Sequence, residues 1–95
     1  MSKKYPITAE QLKYPIAIVV WSDSCEPGDN AEVEANEIPE PQVIVQAGHL
    51  VKETREYISI AGAWKPDLKT YDYVISIPRH AIRRIERLNF LPEEN

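Results

Sequence analysis

The chain has 95 residues, of which 43% are hydrophobic and 27% charged, and its net charge is −4. This length allows one domain with a modest core, and the acidic balance argues against duplex nucleic acid, which is bound through many Lys and Arg contacts. The longest apolar run, Ile16–Trp21, is much shorter than the roughly 18 residues that cross a bilayer. A single cysteine, Cys25, cannot form an internal disulfide. We therefore predict one domain over residues 1–95 in a cytoplasmic protein that does not enter membranes.

The N-terminal segment, residues 1–15, is predicted to contain one short helix. Thr8 and Gln11 have the spacing of a capping box, in which each side chain binds the other residue's backbone N–H. Pro15 would end the helix because proline has no backbone N–H. The following run, Ile16–Ser22, is apolar and rich in β-branched residues, which predicts a strand buried on both faces.

Residues 23–41 are predicted to form a long acidic loop. Seven acidic residues and no basic one lie between Asp23 and Glu40, and prolines interrupt any regular pattern. We expect this loop to be the most mobile part of the isolated protein. Its first carboxylates, from Asp23 to Asp29, lack the glycine and the terminal glutamate of a calcium-binding loop. We therefore predict no metal site there.

Three later segments have the alternating pattern of strands. They comprise residues 43–52, 57–62 and 71–77. Gly48 interrupts the first of them and is expected to mark a bulge or bend. In the last, the residues predicted to share one face are Tyr71, Tyr73, Ile75 and Ile77. The residues predicted to lie in the core are Val20, Ile58, Ile60 and Ile75.

The segment 78–88 is compatible with two conformations. As a helix, it would bury the stripe Ala81, Ile82, Ile85 and Leu88 and expose arginines on the opposite side. As the alternative, residues 78–82 would form one helical turn and residues 83–88 a closing strand. The periodicity of the segment favours the helix.

Three short motifs carry a resemblance to known folds. They are Gly-His-Leu-Val-Lys-Glu at 48–53, Tyr-Ile-Ser-Ile-Ala at 57–61 and Ile-Pro-Arg-His-Ala-Ile at 77–82. Their order resembles that of Src-homology-3-like and Sm-like barrels, whose last strand follows an Ile-Pro and a helical turn. The resemblance implies a mainly β fold, with a small four- to five-stranded barrel over residues 16–90 and the last turn favoured over a helix.

The chain is also similar, from Val19 onward, to small uncharacterised proteins carried by bacteriophages and prophages. That similarity implies an accessory role inside an infected cell. Proteins of this kind bind a host factor or sequester a nucleotide signal used in antiviral defence.

No pattern of an enzyme is present. The chain has two histidines, His49 and His80, and one thiol, and it contains no HExxH, GxSxG or P-loop motif. We predict a protein that is not an enzyme and that carries no cofactor.

The arginines near the C-terminus are the strongest functional candidates. A guanidinium group presents a planar fork of donors that fits carboxylates and phosphates, and Trp64, at a strand end beside a loop, is a candidate wall on which a base can stack. The predicted ligand-binding residues are Trp64, Arg79, His80, Arg83 and Arg87. The competing interpretation is that these arginines form a solvated face or pair with the acidic loop of another subunit.

Two functions follow from these features. The first is a non-enzymatic binding protein that captures a small anionic, nucleotide-like ligand at the arginines. The second is a protein-interaction module or inhibitor that engages a basic host protein through the acidic loop. In both cases we expect a homo-oligomer, since a barrel of this size has little room for a deep internal site.

Overall fold

A computed structural model describes residues 5–23, 34–37 and 40–92. These residues form a mainly β fold, which confirms the predicted class. The five strands are β1 (Ile16–Asp23), β2 (Gln42–Glu53), β3 (Tyr57–Lys65), β4 (Thr70–Pro78) and β5 (Ile82–Leu88), and short 3-10 turns cover Ala35–Glu37 and Arg79–Ala81. They make one antiparallel sheet in the order β4-β3-β2-β1-β5. Within the described residues the two outer strands, β4 and β5, do not pair, so the sheet is not closed.

The predicted N-terminal helix is absent, although its capping contacts form. The backbone N–H of Thr8 donates to Gln11 Oε1 at 2.7 Å, and that of Gln11 donates to Thr8 Oγ1 at 3.4 Å. Residues 9–12 nevertheless form only turns. Pro15 lies too close for a helix to propagate, because proline disfavours helical backbone angles in the residue before it.

The helix predicted over residues 78–88 is also absent. The segment forms a 3-10 turn, Arg79–Ala81, followed by strand β5, which was the alternative conformation. In the ladder between β1 and β5, Val20 pairs with Arg84 and Trp21 with Ile82, so Arg83 is an extra residue in a bulge. The bulge turns Ile82 and Ile85 to the same side of the strand, where both pack against the core. A three-residue apolar spacing that is typical of a helix therefore arises in a strand.

The core lies on one face of β1 and the strands around it. Its buried members are Ala17, Val19, Trp21, Leu50, Ile58, Ile60 and Ile77. Ile58 and Ile60 were predicted correctly, and Ile75 packs against this core while partly buried. The prediction for Val20 was wrong, because burial alternates along β1 and places this residue on the opposite, half-buried face. Strand β1 is therefore not fully buried on both sides.

Strand β2 changes partners along its length. Residues 42–49 pair with β1, and residues 49–53 pair with β3. The bulge lies at Val51, between the Leu50–Ile60 and Lys52–Ser59 pairs, and not at Gly48. Gly48 instead allows a close approach of strands, since a Cβ there would lie 2.5 Å from the carbonyl oxygen of Ala61.

The predicted alternation of β4 fails at Tyr73. Ile77 is fully buried, whereas Tyr73 is 84% exposed. The backbone is also irregular at this position, because Tyr73 has a φ of 57°, in the left-handed region that non-glycine residues rarely adopt. The Tyr73 side chain lies beside Gly62, where a Cβ would come within 3.0 Å of it, and remains outside the buried core.

Two predictions on the rest of the chain stand apart from this fold. Most of the predicted acidic loop, residues 24–33 with 38 and 39, lies outside the described residues. The mobility of this loop therefore stays a prediction. Among the helical segments that the structure describes, none is long and apolar enough to cross a membrane.

Candidate functional site

The 3-10 turn Arg79–Ala81 is fixed to the turn that joins β2 and β3. Pro78 ends β4 with φ −61° and ψ 141°, and the backbone N–H of Arg79 then donates to the carbonyl of Glu56 at 2.8 Å. The N–H of Ile82 closes the turn on the carbonyl of Arg79. The first arginine of the predicted site therefore has a fixed backbone position.

Thr54 organises the β2–β3 turn on which this backbone rests. Its Oγ1 accepts hydrogen bonds from the N–H groups of Glu56 and Tyr57, at 3.2 and 3.0 Å. The Nε of Arg79 donates to the Thr54 carbonyl at 3.0 Å. Arg79 is half-buried, and its side chain stabilises the turn in addition to any contact that it makes with a ligand.

Glu53 joins two of the predicted site residues. An Nη2 of Arg87, near the end of β5, donates to Glu53 Oε1. The Nη2 of Arg79 lies 3.9 Å from the same oxygen. Two guanidinium groups that are distant in sequence thus converge on one carboxylate at the end of β2. We call Arg79, Glu53 and Arg87 the arginine–carboxylate cluster.

The other arginines of β5 have separate partners. Arg83, in the bulge, donates from Nε to Ser22 Oγ at 2.9 Å. Arg84 pairs with Glu86, two residues further along the same strand. Arg84 and Arg87 lie on opposite faces of β5, because they are three residues apart in an extended strand.

His80 is exposed within the 3-10 turn. The structure therefore brings Arg79 and Arg87 together and leaves Arg83 and His80 nearby in the chain.

Trp64 lies at the other end of the β3–β4 hairpin from Arg79. It pairs with Tyr71, whereas Pro78, the residue before Arg79, pairs with Tyr57. Seven residues of β3 separate the two positions, which is roughly 23 Å along an extended strand. A ligand the size of a mononucleotide can contact one end of the hairpin and not both.

Trp64 belongs to an aromatic cluster with Tyr14 and Tyr71. Its ring stacks on Tyr71 at 5.2 Å and meets Tyr14 edge-on at 5.1 Å. The two tyrosine hydroxyls lie 3.2 Å apart, and this hydrogen bond raises the pKa of Tyr71 above its ordinary value. The Nζ of Lys13 lies 5.9 Å from the Trp64 ring centroid. The cluster attaches the N-terminal segment to the sheet.

Sequence reasoning missed Glu53, Thr54 and Tyr14 as partners of the predicted residues. Glu53 is one of fifteen acidic residues, and no local pattern distinguishes it from the others. Thr54 carried a signal that could have been used, since threonine before a tight turn often bonds to the backbone of the residues that follow. Tyr14 contacts Tyr71, which is 57 positions away, and no local spacing indicates such a contact.

A cavity of about 180 Å³ lies between residues 12–16 and residues 88–90. Typical ligand pockets enclose roughly 300–1,000 Å³, so this one is small, and the arginine–carboxylate cluster does not line it. Across the described residues, no group of three or more His, Cys, Asp or Glu side chains could hold a metal ion. What this part of the chain offers to a ligand is an exposed surface.

Comparisons with known proteins give no relative from which a function could be carried over. No protein-family model, curated protein or solved structure matches the chain.

Proposed function

We propose that this protein is a non-enzymatic binding protein, and that it captures an anionic, nucleotide-like ligand at the surface formed by Arg79, His80, Arg83 and Arg87. One observation carries the proposal: two guanidinium groups from distant parts of the chain converge on a single carboxylate oxygen of Glu53. A phosphate or carboxylate of a ligand would be held by the same donors, because arginine binds both groups through its planar fork.

Local charge supports this proposal. The cluster and β5 contain four arginines, and their carboxylate partners are Glu53 and Glu86. This leaves an excess of two positive charges in a chain whose net charge is −4. Both side chains are accessible, with 38% of the Arg79 side chain and 47% of the Arg87 side chain exposed. Each guanidinium has five N–H donors, and Arg87 makes one contact to Glu53 through Nη2.

Replacing Arg87 by alanine tests the proposal. We expect the affinity for the tightest-binding member of a panel of mono- and dinucleotides to fall at least about tenfold, since a hydrogen bond to a charged group contributes roughly 1.5 kcal/mol or more. The melting temperature should change little, because exposed ion pairs contribute about 0–1 kcal/mol. Binding is measured by isothermal titration calorimetry at low salt.

Arg84→Ala is the matched control for this experiment. Arg84 also lies in β5 and also pairs with a carboxylate, that of Glu86, but on the opposite face of the strand. Equal loss of affinity in both variants would reduce the binding to general charge attraction. If no nucleotide of the panel binds the unmodified chain, the proposal is wrong.

Glu53 should compete with the ligand for the two arginines. Glu53→Gln keeps the size of the side chain and removes its charge, so we expect nucleotide affinity to rise about fivefold, equivalent to roughly 1 kcal/mol for an exposed charge pair. Glu86→Gln is the control, since it releases Arg84 instead. Titration calorimetry of both variants would detect the difference. Weaker binding in Glu53→Gln would show that the carboxylate positions the arginines for the ligand rather than competing with it.

We also propose that the sheet coils into a small, partly open barrel. The contact between Arg87 in β5 and Glu53 in β2 spans the strand that separates them in the sheet. The hydrogen bond from Arg79 to Thr54 links the end of β4 to the turn after β2. The contact between Arg87 and Glu53 joins strands that are not neighbours and therefore supports curvature of the sheet, as in the Src-homology-3-like and Sm-like barrels that the motifs resemble. The resemblance to phage-borne proteins supports ligand capture in a host-cell cytoplasm, where it would withhold a nucleotide signal from antiviral defence.

A further inference from the structure

Among the strands that the structure describes, the first half of β2 has one edge without a neighbour. Strand β1 pairs with residues 42–49 on one side, and β3 begins to pair on the other side only at His49. From Gln42 to Gly48, within the part of the chain that the structure describes, that second edge has no strand partner. Pro41 bounds it at one end and the β3 ladder at the other.

The hydrogen-bond pattern identifies which backbone groups face this edge. The N–H of Leu50 donates to the carbonyl of Pro15, on the β1 side, at 2.8 Å. Backbone groups alternate in direction along a strand, and the β1–β2 register is continuous from 42 to 49. The backbone N–H and C=O groups of the even-numbered residues in this stretch therefore face β1. The N–H and C=O groups that face the vacant edge belong to Val43, Val45 and Ala47.

Side chains at this edge are apolar and exposed. Val43 is 66% and Val45 68% exposed, and Ala47 lies on the same face of the strand. The seven residues from Gln42 to Gly48 carry no charge and no proline. Natural proteins protect sheet edges with charged residues, proline or bulges. This edge has none of these.

The two outer strands of the sheet are protected in the usual ways. Strand β4 carries the charged residue Asp72, which pairs with Lys65, and ends in Pro78. Strand β5 has a bulge at Arg83 and the charged pair Arg84–Glu86. The first half of β2 is thus the unprotected edge among the described strands.

We propose that this edge pairs with the same edge of a second copy of the chain, antiparallel and about a two-fold axis at Val45. The vacant edge runs from residue 42 to residue 48, so its centre is Val45. In this register Val45 of one copy lies opposite Val45 of the other, and Val43 lies opposite Ala47. Each of these three opposed pairs exchanges two hydrogen bonds, because all three residues direct their backbone groups outward.

A second copy fits this edge better than a charged partner does. The segment is neutral, so it offers no electrostatic selection, whereas antiparallel pairing of a segment with itself satisfies every outward backbone group between 43 and 47. The apolar face also continues across the axis, since Val43, Val45 and Ala47 of the two copies become neighbours. The surface area that such a short contact buries falls below the roughly 1,200 Å² of stable complexes. We therefore expect a dissociation constant in the micromolar range.

The test is the oligomeric state of the full chain, measured by sedimentation velocity from about 1 to 500 μM. We expect a monomer–dimer equilibrium for the unmodified chain. Val45→Lys and Val45→Glu should each weaken the dimer at least about tenfold, because like charges directly opposite each other in a sheet repel. An equimolar mixture of the two variants should form a heterodimer, since lysine then faces glutamate across the axis.

Val74→Lys serves as the control, because Val74 is a half-exposed valine of β4 away from the proposed axis. Circular dichroism verifies that each variant is folded. If a charge variant does not fold, Val45→Thr is used in its place, and we expect it to weaken the dimer less than the charged residues do. A chain that stays monomeric at the highest concentration overturns the proposal and leaves this edge to a strand of another protein. Dimers that persist in both charge variants, or a mixture that restores nothing, overturn the register.

Discussion

Replacing Ile60 by alanine should lower the free energy of unfolding by about 2–5 kcal/mol, the range measured for large-to-small changes in cores. Ile60 is 1% exposed and lies in the central part of β3, between Leu50 of β2 and Ile75 of β4. The backbone there is held by ladders on both sides, so the site cannot collapse to fill the cavity. Urea denaturation measures the change through the transition midpoint.

Val74→Ala provides the comparison for Ile60→Ala. Val74 is also β-branched and lies on the neighbouring strand, but half of its surface is exposed. Its replacement should change the free energy of unfolding by about 0.5 kcal/mol or less. Equal effects of the two substitutions would contradict the assignment of Ile60 to the core.

Replacing Gly48 by alanine should also destabilise the protein, by about 1–3 kcal/mol, as is usual when atoms are inserted into a packed region. The added Cβ would lie 2.5 Å from both the carbonyl oxygen of Ala61 and the Cγ2 of Ile60. The first of these belongs to the backbone of a central strand, so β2 and β3 would have to separate where their ladder begins. Urea denaturation is again the measurement.

Gly62→Ala is the matched control for Gly48. A Cβ at this position would lie 3.0 Å from Cβ of Tyr73, which is tight, but Tyr73 belongs to an outer strand and its ring is exposed. That strand can shift, so the loss should be about 1 kcal/mol or less. A larger loss at Gly62 than at Gly48 would mean that the contact between β2 and β3 is less rigid than the structure indicates.

The arginine–carboxylate cluster links the proposed function to the fold. Arg79 supports the β2–β3 turn through Thr54, whereas Arg87 is held only by its charge contact to Glu53 among the interactions described. For this reason Arg87, and not Arg79, is the position at which ligand binding can be changed without disturbing the turn. The proposed pairing edge in β2 lies in the half of that strand away from Glu53, so the two proposals can be tested independently.

Part of this fold could be predicted from local sequence, because alternation along a strand depends on the residues of that strand alone. The positions of β2, β3 and β4, and the burial of Ile58 and Ile60, follow from such alternation. Local spacing failed where the backbone departs from regular geometry. The bulge at Arg83 gave β5 the apolar spacing of a helix, and the positive φ of Tyr73 interrupted the face predicted for β4.

The sequence by itself determined a mainly β chain with arginines gathered near its end, since composition and local pattern set both. Only the tertiary structure decided which of these arginines meet. Arg79 and Arg87 come together because β5 pairs with β1 while the turn after β4 rests on the β2–β3 turn, and Trp64 is separated from them by the length of the β3–β4 hairpin. The vacant edge of β2 likewise depends on where β3 begins to pair. The strand order β4-β3-β2-β1-β5 arises from contacts between residues far apart in the chain, and local sequence patterns do not encode it.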